Sequence, residues 1–394
     1  MKCAALITEY NPFHNGHVYH AEQARQIADA DITVAIMSGQ FVMRGEPAIY
    51  NKFLRTQLAL SACDLVVELP AYAALSAGEY FAEMGVKVAD YLNCDALVFG
   101  SESGSIKDFE HVAMQLNHIE EHPEFQTKLH EGKSYPRIIH ELLDEPALLQ
   151  TPNNILGLSY VQAIQHYAAH ITPLTLQRHQ TNHHNQTIDN QTFASGSAIR
   201  KALKNNDSSF ETVVPSSVKH LYTSPQLTLD EVFPYLKFTL LRASLEELRE
   251  IHTVSEGFEY RLKEKIQSAH NFNQLMQLLK TKRYTYTRIQ RMLMNCLLNF
   301  KQANKQNEID AVRILGMNEK GQAYLKQLKK DFPDRHFITN VNKATASYFE
   351  PEIKATEIYN ALSGQTADDF NTPVIRVQSQ QGGKSTCKFI QNRK

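Results

Sequence analysis

The sequence predicts an α/β fold: a doubly wound parallel sheet followed by a mainly helical, basic C-terminal region. Two observations support this prediction. In the first half of the chain, short apolar runs alternate with amphipathic stretches, which is typical of strands joined by crossover helices. In the second half this alternation stops, and the balance of charge changes from acidic to basic.

Five apolar runs in the first half have the length of buried parallel strands. They cover residues 3–8, 32–37, 65–69, 96–100 and 173–177. Between them, apolar residues recur at helical spacing in residues 17–29, 50–62, 77–92, 105–118 and 155–169. Sheets of this type bind ligands beyond the carboxyl ends of their strands, so we expect the functional residues there.

The second half is predicted to be mainly helical. Apolar spacing indicates helices over residues 230–250, 255–268, 273–280, 287–302 and 308–330. Alternating residues near 337–341 and 373–378 indicate one or two closing strands. We therefore expect an α/β domain, a helical basic region and a small α/β C-terminal segment. Their predicted bounds are residues 1–205, 206–335 and 336–394.

The composition is that of a globular protein with a hydrophobic core, since 42% of the residues are hydrophobic and 21% are charged. No apolar run reaches membrane-spanning length and no secretory signal precedes the first strand, so we expect a cytoplasmic protein without a membrane partner. The cysteines form no CxxC pair, which argues against a disulfide framework or a thiolate metal site and favours reduced, half-buried thiols. They are Cys3, Cys63, Cys94, Cys296 and Cys387.

Charge is distributed unevenly although the net charge is only −1. Residues 1–200 carry 12 Lys and Arg against 22 Asp and Glu, whereas residues 201–394 carry 29 against 20. Lys and Arg gain affinity for phosphate backbones through counterion release. The basic half is therefore expected to bind a polyanion, with nucleic acid as the first candidate.

The segment EYNPFHNGHVYH follows the first predicted strand and permits two interpretations, a metal site and a nucleotide site. For a metal, His14, His17 and His20 recur every three residues, and HQTNHHN adds His179, His183 and His184. Two metal-binding histidines on one helical face are normally four residues apart with a carboxylate between them. Asn15 and Gly16 occupy the gap here, so the spacing does not favour a metal.

The nucleotide interpretation explains more of the segment. Gly16 lets the backbone approach a phosphate without a Cβ clash, and a helix beginning at about His17 would present free N–H groups to the anion. The imidazoles of His14 and His17 could donate hydrogen bonds to α-phosphate oxygens as charge develops there.

A second anion-binding element is predicted much later in the chain. Ser195, Gly196 and Ser197 resemble a capped helix start, and Arg200 and Lys201 follow one turn on. Hydroxyl groups, free N–H groups and a guanidinium suit the β- and γ-phosphates. An ordinary N-cap explains the serines alone equally well, but the combination with HxGH favours a nucleotide.

These two motifs resemble the HxGH nucleotidylyltransferase superfamily, whose fold is Rossmann-like. Together with MSGQFVMRGEPAIYNK, ADYLNCDALVFGSE and TPNNILGLSYVQAI, the segment ITEYNPFHNGHVYH resembles more closely the tRNA(Met) cytidine acetate ligase family. The resemblance covers most of residues 1–205 and extends more loosely through the helical half.

The resemblance implies a two-step reaction. ATP activates acetate as acetyl-adenylate with release of pyrophosphate, and the acetyl group passes to the wobble cytidine amine of elongator tRNA(Met). The resemblance and the motifs together make His14, His17 and Arg200 the catalytic candidates. Mg²⁺ would accompany ATP as the substrate complex, and neither a structural metal nor an obligate protein partner is expected.

By resemblance, ATP lies along the segment that contains the histidines. This segment comprises Ile7, Thr8, Glu9, Tyr10, Asn11, Pro12, Phe13, His14, Asn15, Gly16, His17, Val18, Tyr19 and His20. The implied site also includes Asn153, Arg178 and Gly100, whose missing side chain would admit a ribose or base. Ser195 and Ser197 of the second anion-binding element are further ATP-binding candidates.

Basic residues are scarce in the first half, which makes Arg44, Lys52 and Arg55 notable. A phosphate or tRNA contact is expected for Arg44, whereas a solvated helix face explains Lys52 and Arg55 equally well.

The segment KTKRYTYTRIQR interleaves cations with tyrosines. Cations can hold phosphates while aromatic rings stack on unpaired bases, as in bound anticodon loops. The alternative is the solvated basic face of a helix. The candidate tRNA-binding residues are Lys280, Lys282, Arg283, Tyr284, Tyr286, Arg288 and Arg291.

Two other function classes fit parts of the sequence. One is a small-molecule adenylyltransferase of cofactor metabolism, in which the helical half would serve only for oligomerisation. The other is an RNA-binding protein with a relict nucleotide site. The basic half argues against the first class, and the intact His14, His17 and Arg200 argue against the second.

Overall fold

The computed structural model describes residues 1–133, 135–178, 188, 192–378 and 388–389. A mixed, mostly parallel sheet lies at its centre with helices on both faces, which confirms the predicted α/β class. The strands are β1 (Cys3–Thr8), β2 (Ile32–Ser38), β3 (Phe41–Val42), β4 (Glu46–Pro47), β5 (Leu65–Leu69), β6 (Ala96–Ser101), β7 (Thr172–Gln177), β8 (Ala311–Met317), β9 (His336–Ile338), β10 (Ile375–Gln378) and β11 (Lys388–Phe389).

The helices follow the predicted alternation in the first half and form a cluster in the second. They are α1 (Asn15–Ile27), α2 (Lys52–Ala59), α3 (Ala71–Ala74), α4 (Gly78–Tyr91), α5 (Ile106–Asn117), α6 (Phe125–His130), α7 (Tyr135–Leu142), α8 (Pro152–Tyr167), α9 (Gly196–Lys204), α10 (Leu229–Arg242), α11 (Leu245–Arg249), α12 (Phe258–Ser268), α13 (Phe272–Leu279), α14 (Tyr286–Leu298), α15 (Glu319–Asp331) and α16 (Glu350–Ser363).

All five strands predicted in the first half form, and they are parallel to one another in the order β5-β2-β1-β6-β7. Every residue of β2 is buried, as expected for a central strand covered on both faces. The chain runs from β1 to β2 on one side and later returns to β6 on the other side. The carboxyl ends of β1 and β6 therefore border the crevice at the switch point in strand order, where ligands bind in such sheets.

The prediction of one helix over residues 308–330 is wrong, because its first part is strand β8. This apolar run pairs antiparallel with β5, and β10 pairs parallel with β8. Asn318 ends the strand pattern and caps α15 by accepting from the Gly321 N–H, so the helix starts only there. The second half thus contributes strands to the central sheet, and the domain bounds at residues 205 and 335 stay predictions.

The helical cluster packs α10, α12, α13 and α14 against one another around buried apolar side chains. The predicted helix over residues 230–250 is divided into α10 and α11. Ser244 and Glu247 cause the break, because they form a capping box that starts a new helix. Among the described residues, no helix combines the length and the apolarity needed to cross a bilayer.

Lys52 and Arg55 are fully buried, so their interpretation as a solvated helix face is wrong. The Lys52 ammonium lies 2.8 Å from both carboxylate oxygens of Glu68 and 2.8 Å from Asp369 Oδ1. Burial alone would lower the pKa of Lys52, but the charges of Asp369 and Glu68 raise it. This triad joins α2 and β5 to the C-terminal segment.

Four cysteines are free and buried, more deeply than the half-buried state expected from the sequence: Cys3, Cys63, Cys94 and Cys296. Cys387 lies outside the described residues.

We predict that Lys52→Met lowers the free energy of unfolding by about 3–5 kcal/mol, because it removes the buried ammonium that lies 2.8 Å from the carboxylates of Glu68 and Asp369. Urea denaturation measures the change. The control is Lys204→Met, which removes a lysine that is 60% exposed and pairs with Asp230 at the surface. This control is expected to leave stability nearly unchanged. Equal effects of the two variants would contradict the importance of the buried triad.

We also predict a pH-dependent contribution from Glu352. Burial and the charge of Glu68 raise its pKa from 4.5 to about 7. The folded state therefore holds a proton that the unfolded state releases, and stability falls as pH rises from about 4.5 to 7. Glu352→Gln remains neutral and still accepts from the Ala71 N–H, which donates to Glu352 at 2.7 Å.

Relative to this variant, the wild type should lose about 3 kcal/mol between pH 4 and pH 8, as measured by urea denaturation. The exposed Glu357 on the same helix supplies the control variant Glu357→Gln. A stability difference between wild type and Glu352→Gln that is independent of pH would contradict the prediction.

Candidate active site

The predicted histidine segment lies at the carboxyl end of β1, beside the crevice at the switch point. Residues 9–14, which we call the histidine loop, connect β1 to α1. Tyr10 adopts a left-handed backbone conformation with φ of 49°, and Asn11 and Pro12 are joined by a cis peptide bond. Tyr10, Pro12 and Phe13 are buried, and the Tyr10 ring lies 4.8 Å from both the Phe13 ring and the His17 ring.

The imidazole rings of His14 and His17 are stacked, with ring centroids 3.8 Å apart. His14 is the N-cap of α1, and its Nδ1 accepts a hydrogen bond from the Gly16 N–H at 3.1 Å. The neutral ring therefore carries its proton on Nε2, where it can donate to a ligand. Burial and the charges of Arg178 and Arg200 lower the pKa of His14 to about 3, and burial and His14 lower that of His17.

The prediction of free N–H groups at the start of α1 is wrong. The helix begins at Asn15, and the Asn15 N–H donates to Val213 O at 2.9 Å. The Gly16 N–H donates to His14 Nδ1, and the His17 N–H donates to His14 O at 2.8 Å. The hydrogen-bond donors available to a phosphate at this point are imidazole groups, not the helix terminus.

Three side chains from different parts of the chain hold the histidine loop by its backbone carbonyls. Arg55 donates to Glu9 O at 2.7 Å, and Arg200 donates to Asn11 O at 2.8 Å. The Tyr222 hydroxyl donates to Phe13 O at 2.6 Å. The loop is thus fixed before any ligand binds, which is the condition for electrostatic preorganisation.

The predicted second anion-binding element meets the histidine loop. Ser195 caps α9 by accepting from the Ala198 N–H, and the Ser195 and Ser197 hydroxyl oxygens are 2.9 Å apart. A Cβ at Gly196 would lie 3.3 Å from Asn11 O, so this helix start packs directly against the loop. The structure brings together His14 and Arg200, which are 186 positions apart in the sequence.

The opposite wall of the crevice follows β6 and β7. A Cβ at Gly100 would lie 3.3 Å from Arg178 Cγ, so the missing side chain leaves room for Arg178, which the resemblance also assigns to the ATP site. Asn153, in the first turn of α8, donates from Nδ2 to Glu102 Oε1 at 2.6 Å. Burial alone would raise the pKa of Glu102, but hydrogen bonds from Asn153 and Thr151 lower it.

Sequence reasoning missed Glu102. Its carboxylate also accepts from the Thr151 hydroxyl and the Asn154 N–H, both at 3.0 Å, and thereby joins the end of β6 to the start of α8. The sequence contained a signal for it, since Glu102 comes two residues after the predicted strand over residues 96–100, at the edge of the sheet where ligands bind.

Several polar side-chain atoms at the crevice are buried without a hydrogen-bond partner in the described part of the chain: Thr8 Oγ1, His17 Nδ1 and His20 Nε2. Unpartnered buried polar atoms are costly and are expected to be satisfied by a ligand or water. Burial, together with the charge of Arg178, lowers the pKa of His20 to about 4.

The remaining residues of the segment support the crevice from its sides. Ile7 packs so closely on α4 that a Cβ at Gly85 would lie 2.5 Å from Ile7 Cδ1. Val18 and Tyr19 lie half-buried in the first turns of α1, and the Tyr19 and Phe193 rings are 6.1 Å apart.

No group of three or more His, Cys, Asp or Glu side chains within the described ranges is arranged to hold a metal ion. His179, His183 and His184 lie outside the described residues.

The basic segment, residues 280–291, is only partly a free surface. Lys282, Arg283 and Tyr286 are exposed, although Arg283 pairs with Glu256 at 2.9 Å. Tyr284 is buried, with Phe258 and Arg288 packed against its ring, so it has no free face for a base and its predicted stacking role is wrong.

Lys280 and Arg291 are both turned toward the protein. The Lys280 ammonium donates to Thr281 O and Tyr284 O, both at 2.7 Å, and lies 5.4 Å from the Tyr286 ring centroid. Arg291 donates to Met43 O at 3.1 Å.

Comparison with known proteins agrees with this geometry. A family model described as HIGH Nucleotidyl Transferase matches residues 1–372. The tRNA(Met) cytidine acetate ligase of Staphylococcus carnosus is 73% identical over 381 residues, which cover 97% of this chain and 100% of that protein. The enzyme of the same name from Staphylococcus saprophyticus is 57% identical over 377 residues, covering 96% and 100%.

Solved structures of Thermotoga maritima TmcAL are similar over nearly the whole chain. The apo form has a TM-score of 0.86 and 27% identity, and the form bound with alpha-thio ATP has a TM-score of 0.85 and 28% identity. Each match covers 96% of this chain and 100% of the TmcAL chain. On this identity and coverage, the chain belongs to the tRNA(Met) cytidine acetate ligase family, within the HIGH nucleotidyltransferases.

Proposed function

We propose that this enzyme activates acetate with ATP and transfers the acetyl group to the wobble cytidine of elongator tRNA(Met). The relatives' name supports the overall reaction, and the ATP analogue bound by TmcAL supports ATP as a substrate. The observation that carries the proposal is the preorganised pair of neutral imidazoles, His14 and His17, beside Arg200 at the switch point.

In the first step, an acetate oxygen attacks the α-phosphorus of ATP and pyrophosphate leaves. Negative charge develops on the α-phosphate oxygens, where His14 Nε2–H can donate a hydrogen bond without being charged itself. Arg200 and the hydroxyls of Ser195 and Ser197 face the position proposed for the β- and γ-phosphates. Mg²⁺ enters with ATP as part of this substrate.

In the second step, the exocyclic amine of the cytidine attacks the acetyl carbonyl, and AMP leaves. This amine reaches the crevice only if the wobble base swings out of the stacked anticodon loop. The exposed cations Lys282 and Arg283 are proposed to hold tRNA phosphates during this step. ATP and tRNA are both cytoplasmic, so we assign the enzyme to that compartment.

Exchange of labelled pyrophosphate into ATP tests the first step, and we predict that it requires acetate. His17→Ala should lower this exchange about a hundredfold or more, because one preorganised donor is lost while the fold is kept. The control His170→Ala changes a histidine that is 49% exposed beside Asp90, and it should leave the exchange unchanged.

Exchange without acetate would support the cofactor adenylyltransferase alternative, and tRNA binding without any exchange would support the relict-site alternative. Wild-type exchange by His17→Ala would contradict the role assigned to this histidine.

We predict that replacing both Lys282 and Arg283 by Ala spares the exchange but weakens tRNA acetylation. The logarithm of tRNA affinity falls linearly with the logarithm of salt concentration. Each lost phosphate contact should make this slope shallower by about one. The control variant replaces Lys128 and Lys133 by Ala. It removes the same amount of positive charge from the acidic first half of the chain, and it should change neither the exchange nor tRNA acetylation.

Filter binding of tRNA at several salt concentrations measures the slope. If the Lys282 and Arg283 variant lost exchange and acetylation equally, the segment would support the fold or the ATP site and not tRNA.

A further inference from the structure

A short hairpin connects the candidate active site to the basic segment. It consists of residues 41–47, which include β3 and β4, and we call it the linking hairpin. The Met43 N–H donates to Glu9 Oε1 at 2.5 Å, and Met43 O accepts from Arg291 Nη1 at 3.1 Å. The backbone of one residue is therefore bonded to the histidine loop on one side and to α14 on the other.

The hairpin is pressed against the backbone of α14. Gly45 has a positive φ of 78°, and a Cβ there would lie 2.3 Å from Arg291 N and 2.5 Å from Gln290 C. Only glycine fits this position, for both conformational and steric reasons. Hairpin and helix therefore move together, and the Arg291 side chain adds a directed hydrogen bond to this contact.

The same hairpin also faces the second anion-binding element. Glu46 Oε1 lies 3.6 Å from Arg200 Nη2, which ties the end of the hairpin to the guanidinium proposed to meet the pyrophosphate. Burial lowers the pKa of Arg200, and the charge of the exposed Arg44 lowers this pKa as well. The charge of Glu46 raises it. A displacement of the hairpin would therefore change the field at Arg200 as well as the position of Glu9.

Arg291 differs from the exposed cations of the basic segment. Its side chain is half-buried and donates to a protein carbonyl, whereas Lys282 and Arg283 extend into solvent. Burial lowers the pKa of Arg291, and the charge of Glu9 acts in the opposite direction and favours the cation. The charge of Arg288 also lowers this pKa, so Arg291 is influenced both by the basic segment and by the histidine loop.

We propose that Arg291 is a positioning residue for adenylation: by fixing the linking hairpin, it holds Glu9 and Arg200 where ATP requires them, and it does not bind tRNA phosphate. The assignment deepens the proposed function and rests on it. It reassigns a residue that the sequence pattern grouped with the tRNA-binding cations.

Arg291→Met tests the assignment, because it keeps the apolar stem and removes the donor. We predict that the rate of acetate-dependent exchange per active site falls about tenfold or more, since small misplacements are costly for in-line attack. The KM for ATP should stay within about twofold, and neither tRNA affinity nor its salt slope should change. Arg291→Lys, which restores one donor to Met43 O, should recover part of the rate.

Active sites are counted from the burst of pyrophosphate release in a single turnover. The matched control is Arg335→Met, which removes a guanidinium that donates to Tyr91 O at 2.7 Å and to Asp90 O at 3.2 Å, outside the site. This control should keep the full rate per site.

Three results would overturn the assignment. If Arg291→Met left the pyrophosphate exchange unchanged but reduced the salt slope of tRNA affinity by about one, Arg291 would be a contact to tRNA phosphate. A smaller number of active sites, each with the wild-type rate, would make its role purely structural. Absence of exchange in the wild type would overturn the proposed function, and the assignment with it.

Discussion

One buried guanidinium joins the carboxyl ends of the two central strands, and the geometry of the site depends on it. Arg55 donates to Glu9 O just beyond β1, and to Ser38 O and Gly39 O at the end of β2. A buried carbonyl without a donor is costly, and Arg55 supplies a donor to each of these three. Burial lowers the pKa of Arg55 to about 10, so the side chain remains charged at neutral pH. A charged donor in a region of low dielectric binds carbonyl dipoles strongly, and the histidine loop therefore leaves the sheet in one fixed direction.

The electrostatics of the crevice follow from this fixed loop. It holds His14 and His17 near Arg178, and burial together with the charge of Arg178 lowers the pKa of both rings, so that they are neutral. A bound triphosphate would supply negative charge to the same place. It would offset the guanidinium charges and raise the pKa of both rings toward its usual range, which strengthens them as donors. Substrate charge and loop geometry thus act together in the proposed adenylation.

Local patterns predicted much of this structure. The five parallel strands and the Ser195 cap were predictable because burial periodicity and capping depend on near neighbours in the sequence. The buried state of Lys52 and Arg55 was not, because their partners include Asp369 and the carbonyls of residues 9, 38 and 39. Strand β8 was missed because its apolar run passes directly into the helical pattern of α15. The engaged N–H groups of α1 depend on Val213 and on the rotamer of His14, which no spacing rule specifies.

Elements of the second half of the chain extend the central sheet and contact the candidate active site. The regions proposed for the two reaction steps are therefore parts of one connected structure. Strands β8 and β10 extend the central sheet, Asp369 pairs with Lys52 inside it, and α14 rests on the linking hairpin. The exposed cations Lys282 and Arg283 lie just before α14, the helix that contacts the linking hairpin. An acetyl-adenylate hydrolyses readily once water reaches it, so it has to stay in the crevice until the amine arrives. In the proposed second step, the amine therefore has to reach the adenylate inside the crevice, and extrusion of the wobble base from the anticodon loop would bring it there.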